Sequence, residues 1–296
     1  MTRRVYVLFA IMAVTWGIPY FFIKVAVEEL QPASLVMARC GFASLILIPI
    51  AWRNGSLRQA FGVFRWVVVF AVLEYIIPWY LLGTAEQKLP SSVAGLLLAT
   101  TPLFATIYGR MLGDKTATQW RRLVGLGIGF AGVAALLGVD SFQGDLDWFS
   151  ALLILVCAMC YVAAPMAIFR NTQGINQMGI VALSMPLTTL FWSYSGITQW
   201  PIDGVSSKVW WSLITLAVVC TWLAFHFYWQ LAHAVGVVRA STLTYLNPPV
   251  AIGAGVLFLG ESITPGMLLG FPLVLLGSYY ATRPPIPKDE AVVAEP

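Results

Sequence analysis

Ten apolar stretches of roughly 17–24 residues follow one another along the chain, separated by short polar connections. An α-helix of about 20 apolar residues crosses the roughly 30 Å of hydrocarbon in a bilayer, so each stretch is long enough for one crossing. Helices are the expected structure because the backbone in lipid must satisfy its own hydrogen bonds. The pattern therefore predicts an all-α integral membrane protein with ten transmembrane helices, over residues 5–24, 33–52, 66–84, 91–112, 123–139, 148–169, 178–199, 209–231, 239–259 and 266–282.

Composition agrees with a lipid-embedded chain. Of 296 residues, 59% are apolar and 10% are charged, and the mean hydropathy is +0.81. A soluble domain carries about 25% charged residues to wet its surface. This composition excludes an ordinary water-soluble fold.

The two halves of the chain share one pattern of proline, glycine and acidic residues. The matching positions lie 147 residues apart and are Pro102 with Pro249, Gly113 with Gly260, and Asp114 with Glu261. An internal repeat of this length has to be explained before any local motif. It predicts that the chain consists of two copies of one membrane-embedded unit.

The cationic residues predict the orientation of the spans. One set of alternate connections holds thirteen Lys and Arg residues, whereas the other holds only Lys24, Lys88 and Lys208. Cytoplasmic connections carry the excess of Lys and Arg, so both termini are predicted to be cytoplasmic. Since each copy has five spans, an odd number, the second copy is predicted to be inverted, as in many secondary transporters. The predicted units are 1–139 for the first repeat, 140–147 for an external linker, 148–283 for the second repeat, and 284–296 for a disordered cytoplasmic tail.

Small residues recur at helical spacing in the predicted fifth and tenth spans. The glycines are Gly125, Gly129 and Gly132 in the former, and Gly266, Gly270 and Gly277 in the latter. Such ridges let membrane helices approach closely, so they are predicted to serve helix packing.

Several of these motifs together resemble the drug/metabolite transporter superfamily, in its ten-span form with two EamA-type repeats. The resemblance extends from about Val5 to Thr282, and Asp114 stands where the family usually has Glu. The motifs are Trp16-Gly17, Ala38-Arg39, the fourth-span set Ser91, Ser92, Ala94 and Pro102, the ninth-span set Ala240, Ser241 and Pro249, and Gly260-Glu261 followed by Gly270 and Gly277. The resemblance implies a basket-like bundle in a plasma or bacterial inner membrane. It also implies small organic substrates such as amino acids, other metabolites or organic cations, often exported.

Two charged residues lie inside predicted spans. A charge in hydrocarbon is costly, so Arg39 and Glu74 are expected to face protein or a water-filled cavity. Arg39 can anchor a substrate carboxylate or another anion; the alternative is a structural arginine paired with a helix end or a carboxylate. Glu74 can bind a cationic substrate, carry a coupling proton or neutralise Arg39.

Aromatic and polar residues near these charges complete the predicted substrate site. Trp16, Tyr20, Tyr75 and Trp79 can line a pocket and bind organic cations or rings through their faces, although an interfacial belt or core packing is the alternative. Asn247 precedes a Pro-Pro pair that interrupts the ninth span, as Pro102 interrupts the fourth. Proline frees backbone carbonyls, so both places are predicted to kink and can present polar groups to a cavity.

The favoured function is a secondary transporter that moves a small organic metabolite by alternating access, as an exporter. The alternative from another class is a membrane-embedded enzyme acting on a lipid-like substrate, but the chain has no Gly-x-Ser-x-Gly, HExxH or Asp-rich motif. Accordingly, no catalytic residue, metal or cofactor is predicted. The predicted partners are a small-molecule substrate and the lipid bilayer, with a coupling proton as an open alternative and no nucleic acid.

Overall fold

The computed structural model describes residues 3–113, 120–142, 147–235, 243 and 246–282. The regular structure of this part of the chain is helical. In chain order, α1 to α15 are Arg3–Gly17, Pro19–Val27, Pro32–Arg53, Ser56–Gly62, Phe64–Phe70, Ile77–Glu86, Ser91–Leu98, Thr101–Met111, Trp120–Phe142, Trp148–Asn171, Gln177–Thr198, Ser207–Ala217, Ala224–Val235, Asn247–Leu259 and Pro265–Thr282. Two π-helices, Ala71–Ile76 and Val218–Leu223, join α5 to α6 and α12 to α13.

Seven continuous helical segments are long and apolar enough to cross a bilayer. They are Arg3–Val27, Pro32–Arg53, Phe64–Glu86, Ser91–Met111, Trp148–Asn171, Gln177–Thr198 and Ser207–Tyr228, and shorter apolar helices cover Asn247–Leu259 and Pro265–Tyr280. These segments confirm the all-α membrane fold class. The count of ten spans and the inversion of the repeats remain predictions. Asp114, residues 143–146 of the predicted linker and the predicted tail lie outside the described residues.

Proline breaks the predicted fourth span into α7 and α8. Pro102 has no N–H for the carbonyl of Leu98, and the hydroxyl of Thr101 donates to that oxygen instead, at 2.6 Å. The neighbouring Thr100 hydroxyl donates to the Leu97 carbonyl, also at 2.6 Å. The predicted kink is therefore confirmed, and the Thr101 hydroxyl satisfies the carbonyl that Pro102 frees.

Glycine ridges bring helices from the two halves into close contact. A methyl group added at Gly132 in α9 would lie 2.7 Å from the backbone nitrogen of Val274 in α15. One added at Gly277 in α15 would overlap the backbone of Gly129. Similarly, a methyl group at Gly196 in α11 would meet Met37 in α3 at 2.8 Å. The packing role predicted for these small residues is confirmed for α9 and α15.

The Gly-Glu turn after α14 caps a helix in the other half of the chain. Gly260 adopts a left-handed conformation with φ of 67°, which ends α14. The Glu261 carboxylate then accepts hydrogen bonds from the backbone N–H groups of Ser91 and Ser92, at 2.7 and 3.0 Å, and from both serine hydroxyls. A carboxylate at a helix N-terminus satisfies unpaired donors and complements the helix dipole.

One end of the bundle collects the three lysines Lys24, Lys88 and Lys208, and we call it the lysine end. There the Lys88 ammonium lies 3.6 Å from the Asp147 carboxylate. Two contacts join the halves at this end: the Glu261 cap on α7, and the Glu29 carboxylate, which accepts from the Ser206 N–H at 2.7 Å. These hydrogen bonds fasten the two halves of the chain together at the lysine end.

Candidate substrate site

Arg39, Trp79 and Tyr75 meet in the interior of the bundle. Arg39 lies in α3 and is only 6% exposed. Its guanidinium carbon is 3.5 Å from the centre of the Trp79 ring, and Trp79 packs edge-on against Tyr75 at 4.9 Å. Indole faces attract cations, and more strongly when water is excluded. Three of the residues predicted for the site are thus in one cluster.

The polar atoms of this cluster are incompletely satisfied. One Arg39 nitrogen, Nη2, donates to the Thr221 hydroxyl at 3.4 Å, whereas Nε and the Tyr75 hydroxyl have no partner among the described residues. Arg39 also forms no ion pair with a described carboxylate. The described residues therefore do not pair Arg39 with a carboxylate, which was one form of the structural alternative. A buried, unpaired cation favours an anionic ligand.

Each π-helix contributes one residue to this cluster. Tyr75 belongs to the first and Thr221 to the second, and the two six-residue segments begin 147 positions apart. The Thr221 hydroxyl also donates to the carbonyl of Leu216, five residues earlier, at 2.8 Å. π-helical turns are frequent at functional sites, and this one supplies the hydroxyl that Arg39 contacts.

Glu74 lies apart from Arg39. It is half-buried in the first π-helix and forms no ion pair with Arg39, so the proposed neutralisation of Arg39 is not seen in this structure. Tyr161 of α10 packs against the hydrophobic cluster that contains Tyr75 and Trp79.

The remaining predicted residues lie elsewhere in the bundle. Trp16 packs against Tyr228 of α13, with ring centres 5.0 Å apart. Asn247 begins α14, and its side-chain oxygen is buried with no partner among the described residues. Tyr20 is buried in α2, in the same core cluster as Leu82 and Ala85 of α6.

Sequence reasoning missed three residues of this region. Tyr161 and Thr221 are ordinary residues of apolar helices, and nothing local indicates their position. Glu86 follows the predicted third span, where a connection is expected, yet its side chain is fully buried and neither carboxylate oxygen has a partner among the described residues. Its spacing of seven from Trp79, two helical turns on the same face, was the available signal.

The fold and the buried polar centre define a multi-pass helical membrane protein with an internal site. The sequence profile of the EamA-like transporter family matches residues 3–138 and 148–283. The chain belongs to this family of membrane transporters.

Individual relatives agree over nearly the whole chain. The uncharacterized inner membrane transporter YedA of Escherichia coli (strain K12) is 25% identical over 289 residues, which covers 94% of this chain and 92% of YedA. A probable terminal-alkyne amino-acid exporter of Streptantibioticus cattleyicolor is 24% identical over 280 residues, 91% of this chain and 90% of the relative. A solved crystal structure matches with a TM-score of 0.67 at 18% identity, over 95% of this chain and 97% of that one, which shows a common fold.

Proposed function

We propose that the protein is a secondary transporter that exports a small organic metabolite across the plasma membrane by alternating access. The observation that carries the proposal is the contact between Arg39 in the first half and Thr221 in the second, where two π-helices lie at equivalent positions. A site between inverted halves can be exposed alternately to the two sides as the halves rock against each other.

The burial of the side chains supports this mechanism. Tyr20 and Glu86, toward the lysine end, are buried, whereas Trp16 and Glu74, farther along the site, retain partial exposure. The contacts at the lysine end have to break before the site opens there. Relatives named as transporters and as an amino-acid exporter support the same function.

The test is transport by the purified protein in proteoliposomes loaded with labelled metabolites, comparing wild type with Arg39→Ala and Glu74→Gln. Loss of a charge-assisted contact worth about 1.5–3 kcal/mol lowers the rate roughly 10- to 100-fold at limiting substrate. Arg65→Ala and Glu28→Gln are matched controls. Arg65 also lies over an indole, that of Trp66 at 5.4 Å, but it is exposed, as is Glu28.

Folded Arg39→Ala and Glu74→Gln proteins with wild-type rates would refute the proposed site. Efflux from loaded vesicles is measured with an imposed pH gradient in each orientation. This experiment tests both the direction of transport and whether transport is coupled to a proton.

A further inference from the structure

The end of the bundle opposite the lysine end carries four exposed arginines, and we call it the arginine end. α10 begins after Asp147, beside Lys88, and Arg170 lies in its last turn, roughly 33 Å away along the helix axis. The four residues are Arg53 at the end of α3, Arg58 in α4, Arg65 in α5 and Arg170. None of them forms an ion pair with a described carboxylate, and residues 49–70 and 162–181 contain no Asp or Glu. This surface is therefore positively charged and lacks a counter-ion among the described residues.

An open groove of about 410 Å³ lies at the arginine end, lined by residues 61–66 and Asn171. The junction of α4 and α5 supplies residues 61–66, and the C-terminal end of α10, directly after Arg170, supplies Asn171. At the groove, the Arg65 guanidinium carbon is 5.4 Å from the centre of the Trp66 ring. The indole supplies no oxygen acceptor, so the N–H donors of Arg65 are available to a ligand.

Two phenylalanines beside Arg65 present apolar surface to the outside of the bundle. Phe61 and Phe64 are 57% and 43% exposed, and their rings are stacked at 6.5 Å with an interplanar angle of 8°. α4 packs tightly on the start of α11, where a methyl group added at Gly179 would overlap the carbonyl of Ser56. Aromatic rings of membrane proteins are enriched at the level of the lipid headgroups. The groove therefore combines cationic donors with apolar rings of the kind found at that level.

We infer that this groove binds the headgroup of an anionic phospholipid. Arg65 donates to the phosphate, since the planar guanidinium matches phosphate oxygens, and Arg58 and Arg170 add electrostatic attraction. Phe61 and Phe64 contact the glycerol backbone and the first carbons of the acyl chains. Basic pockets between transmembrane helices bind phospholipid headgroups by the same combination of contacts.

Charge and apolar surface together select this class of ligand. A zwitterionic phospholipid brings an ammonium group for which residues 49–70 and 162–181 provide no carboxylate. A free phosphate ion gains nothing from the exposed rings of Phe61 and Phe64. An anionic phospholipid makes favourable contacts with both parts of the groove.

The test is lipid-dependent thermal stability of the purified full chain in a non-ionic detergent, because a ligand of the folded protein raises its apparent stability. Phosphatidylglycerol, phosphatidylcholine with the same acyl chains, and inorganic phosphate are titrated separately. Wild type is expected to bind phosphatidylglycerol at least about tenfold more tightly than phosphatidylcholine. It is expected to show no shift with inorganic phosphate over the same concentration range.

Single arginine variants locate the site. Arg65→Gln is expected to weaken phosphatidylglycerol binding about tenfold, since it removes the charge-assisted contact, and Arg58→Gln about fivefold or less. Arg121→Gln is the matched control, because Arg121 in the first turn of α9 is also exposed but does not line the groove. The control is expected to keep the wild-type affinity.

Four results would overturn this assignment. They are equal stabilisation by phosphatidylcholine, equal stabilisation by inorganic phosphate, an Arg65→Gln protein with wild-type affinity, and an Arg121→Gln protein that loses as much affinity as Arg65→Gln. The last result would show attraction to surface charge in general. None of them bears on the proposed transport function, because Arg53 at this end is about 21 Å from Arg39 along the axis of α3. Transport by the Arg39 and Glu74 variants tests that function separately.

Discussion

At the scale of single residues, Arg39 is a buried cation with few polar contacts. Its guanidinium lies flat against a buried indole, with one long hydrogen bond to Thr221 and no described carboxylate beside it. A desolvated cation–π contact contributes about 2 kcal/mol, which offsets only part of the cost of burying the charge. In the proposed site an anionic substrate group supplies the rest, so the proposal explains Arg39 by binding rather than by stability.

Two carboxylates at the lysine end make stability depend on pH. Hydrogen bonds from Ser206 hold the pKa of Glu29 below its ordinary value of 4.5, and those from Ser150 hold the pKa of Asp147 below 3.8. A lowered folded-state pKa contributes stability that is present above the ordinary value and is lost as pH falls through the folded one.

The melting temperature of wild type is therefore expected to fall more steeply below about pH 4.5 than that of a Glu29→Gln, Asp147→Asn protein. Because Glu29 is exposed and Asp147 is partly exposed, the difference at neutral pH is only about 1 °C. Melting curves from pH 6 to 3 check this, with Glu28→Gln as the control. Parallel curves for the wild type and the double variant would contradict it.

The sequence predicted Arg39 as a residue of the site but did not predict the residues that it contacts from other helices, such as Thr221. The cluster of Arg39, Tyr75 and Trp79 joins residues that were predicted for one pocket. Glu86 was missed because its place in the chain, beside Lys88, is typical of an exposed connection. Its burial depends on how α6 packs against neighbouring helices, and a local sequence pattern does not predict that packing.

At the scale of helices, small residues decide how closely the halves approach. Gly132→Ala in α9 would press a methyl group against Val274 and Leu273 of α15, whereas Gly127 of the same helix faces open space. Overpacking of this kind costs about 1–3 kcal/mol. Alanine at position 127 is expected to be neutral, or to stabilise the helix by up to about 1 kcal/mol.

Melting temperatures of Gly132→Ala and Gly127→Ala in detergent compare the two positions directly. Equal melting temperatures would show that the contact between α9 and α15 does not limit stability.

The positions of glycine and proline in the sequence predicted the helix break and the close helix packing, because both residue types act through their own backbone. Pro102 breaks a helix wherever it stands, and the missing Cβ of Gly132 allows close approach from any partner. The π-helices were not predicted, since one extra residue in a helical turn leaves the apolar pattern nearly unchanged. The Gly-Glu turn was noticed as a motif, but its role depends on Ser91, 170 positions away along the chain.

At the scale of the whole molecule, the Glu261 cap fastens one half of the chain to the other. Removing it with Glu261→Ala leaves the first N–H groups of α7 without an acceptor, and this is expected to favour opening of the lysine end. The change is unfavourable for the closed state by about 1–2 kcal/mol, a shift of roughly 5- to 30-fold in population.

Cysteine labelling can measure that shift. Val93 in α7 is buried, so Val93→Cys, in a protein whose four native cysteines are replaced, reports opening through its rate of reaction with a membrane-impermeant maleimide. The rate is expected to rise several-fold with Glu261→Ala and to stay constant with Glu28→Gln. A constant rate in both would mean that the cap stabilises α7 without controlling access.

The two π-helices also bear on how such a chain arises. A π-helical turn differs from an α-helical one by a single extra residue, so one inserted residue in an ancestral helix is enough to produce it. The segments Ala71–Ile76 and Val218–Leu223 have the same length and the same place in the repeat. If the two halves descend from a duplicated gene, one insertion before the duplication accounts for both. Its presence in both copies, like that of the shared proline, glycine and acidic positions, would make the turn one of the features retained since the duplication.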